Sequence, residues 1–297
     1  MVPFYQAWSA LYGLMRRSSG LSWFDAIISA HQVLRMSAML FVLSPAKSLD
    51  FEPAPAAVPH TQPRFLEKSA PLIDILRLQS PAQIAELMSL SDKLAVLNVT
   101  RYADWSVAHT QPEAKQAILA FNGDVYEGLD APSLNKKQLA YVQDHVRVLS
   151  GLYGVLRPLD LMRPYRLEMG TKLANPAGKD LYAWWRESNT AAILADLAEA
   201  GQPLINTASD EYFKSVDRKA LAKAGVRIVD CVFEDFKDGK FKIISFYAKR
   251  ARGLMVRAAA EAGWKSAEDL QGFDAEGYAY VPAASSEDKL VFRRRVA

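Results

Sequence analysis

Two apolar runs, residues 232–236 and 241–247, are separated by Lys237-Asp238-Gly239-Lys240. An Asp-Gly pair tolerates positive φ at adjacent positions, so its place between apolar runs predicts an antiparallel hairpin. Strands and helical patterns interleave around it. Short apolar runs at 40–43, 204–206 and 226–229 read as buried strands. Helical patterns cover 65–77; 81–88, with Ser80 as N-cap and Pro81 in the first helical position; 112–121; 134–149; and 181–200, ended by Gly201. Between the first strand and these helices, Pro45, Pro53, Pro55, Pro59 and Pro63 exclude regular helix or central strand, and that stretch is expected on the surface. No composition break divides residues 39–297. The reading is α+β: a single compact domain with a mixed β-sheet partly wrapped by helices.

Composition narrows the function classes. With 50% apolar and 23% charged residues the chain is neither disordered nor collagen-like. Its 36 Lys and Arg against 33 Asp and Glu leave +3, too even to announce a polyanionic partner, so such a partner has to be read from local clusters. Cys231 stands alone, which fits a reducing cytoplasm. His31, His60, His109 and His145 lie far apart with no HExxH or CxxC, so neither a metal site nor a cofactor is expected. Residues 1–38 are apolar and aromatic, but Arg16, Arg17, Asp25 and Arg35 interrupt them before the length of a membrane span is reached. The Arg pair also follows the first apolar stretch, where a secretory signal would place it first. This N-terminal extension is expected to be weakly ordered or the product of a start codon assigned too early, with no membrane association.

Three stretches carry chemistry. In Ser150-Gly151-Leu152-Tyr153-Gly154, two glycines three apart permit a tight turn with outward-facing amides, and Arg157, Arg163, Arg166 and Lys172 follow closely. Helix, glycine hairpin and second helix would grip a sugar-phosphate backbone with little base reading; an ordinary helix-ending turn is the alternative. From Lys237 to Arg257 there are seven basic residues and one acid, and Lys249, Arg250 and Arg252 oppose the dipole at a helix start, which an anionic ligand would offset. Solvated charges or ion pairs with Asp210 and Glu211 would offset it equally. The third group is Ser44 to Asp50, Ser91-Asp92-Lys93, and Asn206 to Lys214. It offers Lys47, Lys93 and Lys214 as anion-binding candidates, and two of its members follow short buried strands, where open sheets place ligands. Ser44 and Lys47 also have the SxxK spacing of a nucleophilic dyad, a spacing common by chance.

Over residues 39–294 the sequence resembles the YaaA family of bacterial peroxide-stress proteins. The resemblance rests on SPAKSLD at 44–50, SDKLA at 91–95, FNGDVYEGL at 121–129, LSGLYGVLRPLDLMRPYRLEMG at 149–170, ASDEYFKSV at 208–216 and GKFKIISFYAKRARGLM at 239–255. It implies a cytoplasmic protein that resists hydrogen peroxide by limiting unincorporated iron, and a compact mixed domain with a helix-hairpin-helix element beside a basic cleft that binds DNA. The hairpin falls on Gly151 to Gly154, one residue longer than the usual Gly-apolar-Gly turn. Residues 1–38 have no counterpart in the family pattern.

The expected function is therefore peroxide protection with sequence-tolerant DNA binding. Gly151 and Gly154 would shape the turn; Arg157, Arg163, Arg166, Lys249, Arg250 and Arg252 would neutralise phosphates; Tyr153 would stack on a base or fill the core. The rival is an enzyme acting on a phosphorylated small molecule or nucleotide, with the same cations as a clamp and Asp210, Glu211 or Glu168 as acid or base. A third reading, iron chelation, would need Asp124, Glu168 and Glu211 to meet in space.

Overall fold

The computed structural model describes residues 39–52 and 58–295. The extension at 1–38 lies outside them, as do Pro53 and Pro55. Eight strands form the main sheet: β1 (Leu40–Leu43), β2 (Val146–Ser150), β3 (Gly154–Leu156), β4 (Leu204–Asn206), β5 (Ile228–Lys237), β6 (Lys240–Lys242), β7 (Ala279–Tyr280) and β8 (Lys289–Arg294). Their order in space is β7-β8-β5-β4-β1-β2-β3, with β6 on β5. The five inner strands run parallel, while β7, β3 and β6 pair antiparallel. The mixed α+β reading holds. Helices accompany the sheet: α1 (Leu66–Arg77), α2 (Pro81–Met88), α3 (Asp92–Asp104), α4 (Ala117–Ala120), α5 (Asp124–Leu129), α6 (Lys136–His145), α7 (Leu181–Ala200), α8 (Asp210–Phe213), α9 (Arg218–Lys223) and α10 (Ser245–Ala262).

Burial follows strand position. The sequences LFVL of β1 and VRVLS of β2 are buried throughout, as inner parallel strands covered on both faces require. In β5, by contrast, Val229, Cys231, Phe233 and Asp235 alternate with partly exposed neighbours. Ser80 and Asn135 cap α2 and α6 with reciprocal Gln83 and Gln138 bonds, and Asp180 caps α7. Where α5 crosses α10, a Cβ on Gly253 would collide with the Val125 carbonyl, so only glycine lets these backbones approach. Among the described residues no helix is long and apolar enough to cross a membrane.

Three local expectations are corrected. The helix expected over 134–149 stops at His145, and Val146 opens β2, because Val146 and Leu149 belong to an apolar run that a fully buried strand shares with a helix face. The hairpin turn is as predicted, with Asp238 at φ 55° and Gly239 at φ 79°, but its second strand ends at Lys242, and Ser245 begins α10. Only Ala117–Ala120 of 112–121 is helical.

The topology defines one special place. From β1 the chain proceeds to β2 on one side and later to β4 on the other, so the parallel order reverses at β1. Crevices outside the carboxyl ends of strands at such a reversal are where doubly wound sheets hold ligands.

Candidate anion-binding site

At that reversal, β1 ends in Ser44 and β4 ends in Thr207 to Ser209. Thr207 ties the strands together by donating its hydroxyl to the Val42 carbonyl at 2.8 Å. The Ser44 hydroxyl accepts the Ser209 N–H at 2.9 Å and donates to the Ser209 hydroxyl at 3.2 Å. Tyr126 of α5 donates to the Ser44 carbonyl at 3.1 Å. Glu168 receives Lys47 Nζ at 2.7 Å on one oxygen and Arg166 Nη2 at 3.1 Å on the other. Glu211 accepts the Gly170 N–H at 2.9 Å. Behind these, the Ser150 and Tyr165 hydroxyls are 2.6 Å apart, and burial pushes the Tyr126, Tyr165 and Tyr212 phenols up, so all three stay neutral. Segments far apart in sequence thus meet at one sheet edge.

Arg252 of α10 lies close to Asp210 and Cys231, on the Asp210 side of this group. Its guanidinium is largely buried yet makes no hydrogen bond or ion pair among the described residues, and its Nε is shut off from solvent without an acceptor. Burial lowers its pKa, while nearby Asp210 and Cys231 oppose that shift. Buried donors nearly always have acceptors. The site therefore presents a donor fork, hydroxyls at Ser44 and Ser209, and carboxylates at Glu168, Asp210 and Glu211. It can hold an anionic oxygen and offer a proton donor or acceptor beside it.

The other predicted phosphate ligands are committed elsewhere. The proposed helix-hairpin-helix is a strand-turn-strand: Gly151 to Tyr153 link antiparallel β2 and β3, whose register pairs Ser150 with Gly154. Its glycines are buried. Gly154 has φ +69° and backs onto the Trp185 ring, while a Cβ on Gly151 would strike the Leu167 carbonyl, and Trp185 donates to the Gly151 carbonyl at 2.8 Å. No amide of this turn faces solvent for a phosphate. Tyr153 fills the core: its hydroxyl accepts Trp105 Nε1–H at 2.9 Å and the Arg163 N–H at 3.0 Å, and lies 3.0 Å from His109 Nε2. Arg157 pairs with Asp160, Arg163 donates to the Ala108 and Asp104 carbonyls, Arg166 holds Glu168, and Arg250 pairs with Glu276 at 2.6 Å. Lys249 is exposed on α10, Lys93 is exposed in the first turn of α3, and Lys47 and Lys214 flank the Glu168 and Asp210 sides. Tyr126 and Tyr165 escaped sequence reasoning as site residues, although both lie inside recognised motif blocks, FNGDVYEGL and RPYRLEMG.

A model described as "Peroxide stress protein YaaA" matches residues 39–284. The chain belongs to the YaaA family of peroxide stress proteins. Its relatives include a UPF0246 protein of Albidiferax ferrireducens, 61% identical over 86% of this chain and 98% of that protein, and one of Azoarcus sp. strain BH72, 61% identical over 86% and 99%. A UPF0246 protein of Burkholderia mallei is 60% identical over 86% and 99%. In this YaaA-family chain, the motif blocks SPAKSLD, FNGDVYEGL, RPYRLEMG, ASDEYF and KRARG all contribute side chains to the crevice.

Proposed function

We propose that the chain serves peroxide defence by binding a phosphorylated small molecule or nucleotide in the crevice at the carboxyl edge of its sheet. The single observation that carries this reading is the Nε of Arg252, shut off from solvent without an acceptor on a largely buried side chain near Asp210. A phosphate oxygen would satisfy it, with Lys47 and the Ser44 and Ser209 hydroxyls as further donors. Glu168, Asp210 and Glu211 would then serve as acid or base if the bound molecule reacts. The iron-limiting role enters this reading as a downstream effect of that binding. Among the described residues no three His, Cys, Asp or Glu side chains are grouped to hold a metal ion. Calorimetric titration with AMP should give saturable binding, weakened about tenfold in Lys47→Ala and abolished in Arg252→Gln at unchanged melting temperature. Absence of binding heat, or full affinity in both variants, overturns the reading.

Sequence-tolerant DNA binding is the second reading, favoured by a different surface. The β5–β6 hairpin and the start of α10 expose Lys237, Lys240 and Lys249, and α10 also exposes Phe246, which is 52% exposed and lies 3.9 Å, centroid to centroid, from Tyr247. Cations interleaved with an open aromatic ring suit a nucleic-acid backbone and its bases. Here duplex affinity should fall with salt by about 0.9 log units per log unit for each neutralised phosphate, and Lys240→Glu with Lys249→Glu should flatten that slope. An unchanged slope excludes this surface.

A further inference from the structure

Beside the crevice, on the far side of Asp210, lies an open groove of about 450 Å³. Four cations line it, Arg186, Lys214, Arg218 and Lys219, against two carboxylates, Asp210 and Asp217. One of the two carboxylates is engaged. Asp217 caps α9 by accepting the Lys219 and Ala220 N–H groups at 2.9 and 3.1 Å, whereas Asp210 lies near Arg252 without forming an ion pair with it. Among the cations, Arg218 lies 4.4 Å from the Phe213 ring centroid and pairs with Asp230 at 2.5 Å, while Arg186 reaches the Lys214 carbonyl at 3.4 Å. The Lys214 and Lys219 ammonium groups have no ion pair or hydrogen bond among the described residues. The groove is thus lined by Arg218 against Phe213 and by two ammonium groups without internal partners, with Asp210 both lining it and lying near Arg252.

Resting on the crevice reading, we propose that this groove holds the distal phosphates of the same ligand, so that the preferred ligand carries a polyphosphate chain. Its proximal phosphate would meet Arg252 and Lys47. The chain would pass Asp210 and end between Lys214 and Lys219, where two unpaired cations match successive anionic groups without displacing an internal partner. Arg218, paired with Asp230 and 4.4 Å from the Phe213 ring centroid, adds a further positive charge. A monophosphate would leave the groove empty.

The test titrates the full chain with AMP, ATP and inorganic tripolyphosphate, in parallel with Lys214→Ala/Lys219→Ala and Lys47→Ala. The side chains of these groove lysines are exposed and make no ion pair or hydrogen bond among the described residues, and their backbone contacts survive in alanine, so the double variant should fold. ATP should bind about tenfold or more tighter than AMP, and the double variant should erase that difference while leaving AMP affinity unchanged. Lys47→Ala should weaken AMP and ATP alike. Equal affinity for AMP and ATP, or a difference that survives the double variant, overturns the groove assignment and leaves the crevice reading standing. Tripolyphosphate that binds and depends on Lys214 and Lys219 but not on Lys47 upholds the groove and overturns the crevice. No binding by any of the three overturns both.

Discussion

Tyr153 sits where a surface base-stacker was one expectation, and its actual task is to satisfy three buried groups at once. Trp105 Nε1–H and the Arg163 N–H both donate to its oxygen, and His109 is its third neighbour. Tyr153→Phe leaves those two donors without an acceptor and should cost about 1–3 kcal/mol in urea unfolding, with phosphate and DNA binding untouched. His109 itself is held neutral: burial lowers its pKa to about 4, against an ordinary value near 6.5. Because the unfolded chain takes up this proton more readily, the histidine contributes stability that is complete above pH 6.5 and is lost as pH falls toward 4. Thermal melts at pH 7 and pH 4.5 should show a smaller acid-side drop in His109→Gln than in the parent. Cys231 is equally unreactive, since burial pushes its thiol up to about 12 and hides it in β5. Iodoacetamide and hydrogen peroxide should leave it unmodified in the folded protein and modify it after denaturation, as read by intact mass.

Helices and strands show which signals were legible and which were not. Ser80 with Pro81, Asp238-Gly239 and Gly201 stated their boundaries outright, because caps and primed turns are local chemistry. The border between α6 and β2 was not legible, since the next strand over in space, β1, decides it: Val146 pairs with Phe41. The same holds for the glycine pair at Gly151 and Gly154. Its spacing reads as a phosphate-binding turn, and only the packing of α7, with Trp185 against Gly154, turns it into a sealed β-hairpin. At the crossing of α5 and α10, Gly253→Ala should force the helices apart, costing about 1–3 kcal/mol and lowering phosphate affinity in step, because Tyr126 and Arg252 ride on these two helices. A melting shift without any change in binding would separate the crossing from the crevice.

Across the molecule, the two basic stretches expected to neutralise phosphates take different paths. The first is spent on internal pairs at Arg157, Arg163 and Arg166, while the second divides between Arg250, paired to Glu276, and the unsatisfied Arg252. Sequence alone shows charge but not its partners, and Asp160, Glu168 and Glu276 come from loops that no periodicity places. The sheet edge was legible in outline, from Ser44, Lys47 and Asn206 to Lys214 following short strands, because open sheets put ligands there whatever their chemistry. Replacing Asp196 tests how far tertiary ion pairs hold the frame: it clamps buried Arg147 and also Arg64 at 2.7 Å each, so Asp196→Ala should cost about 3–5 kcal/mol in chemical denaturation.

The central position of β1 has a consequence for how the protein is made. Its first partner, starting at Val146, leaves the ribosome over a hundred residues after it, and the second, starting at Leu204, later still. Throughout that interval a wholly apolar strand has neither of its sheet partners, the situation in which non-local pairing makes folding slow and exposed to aggregation.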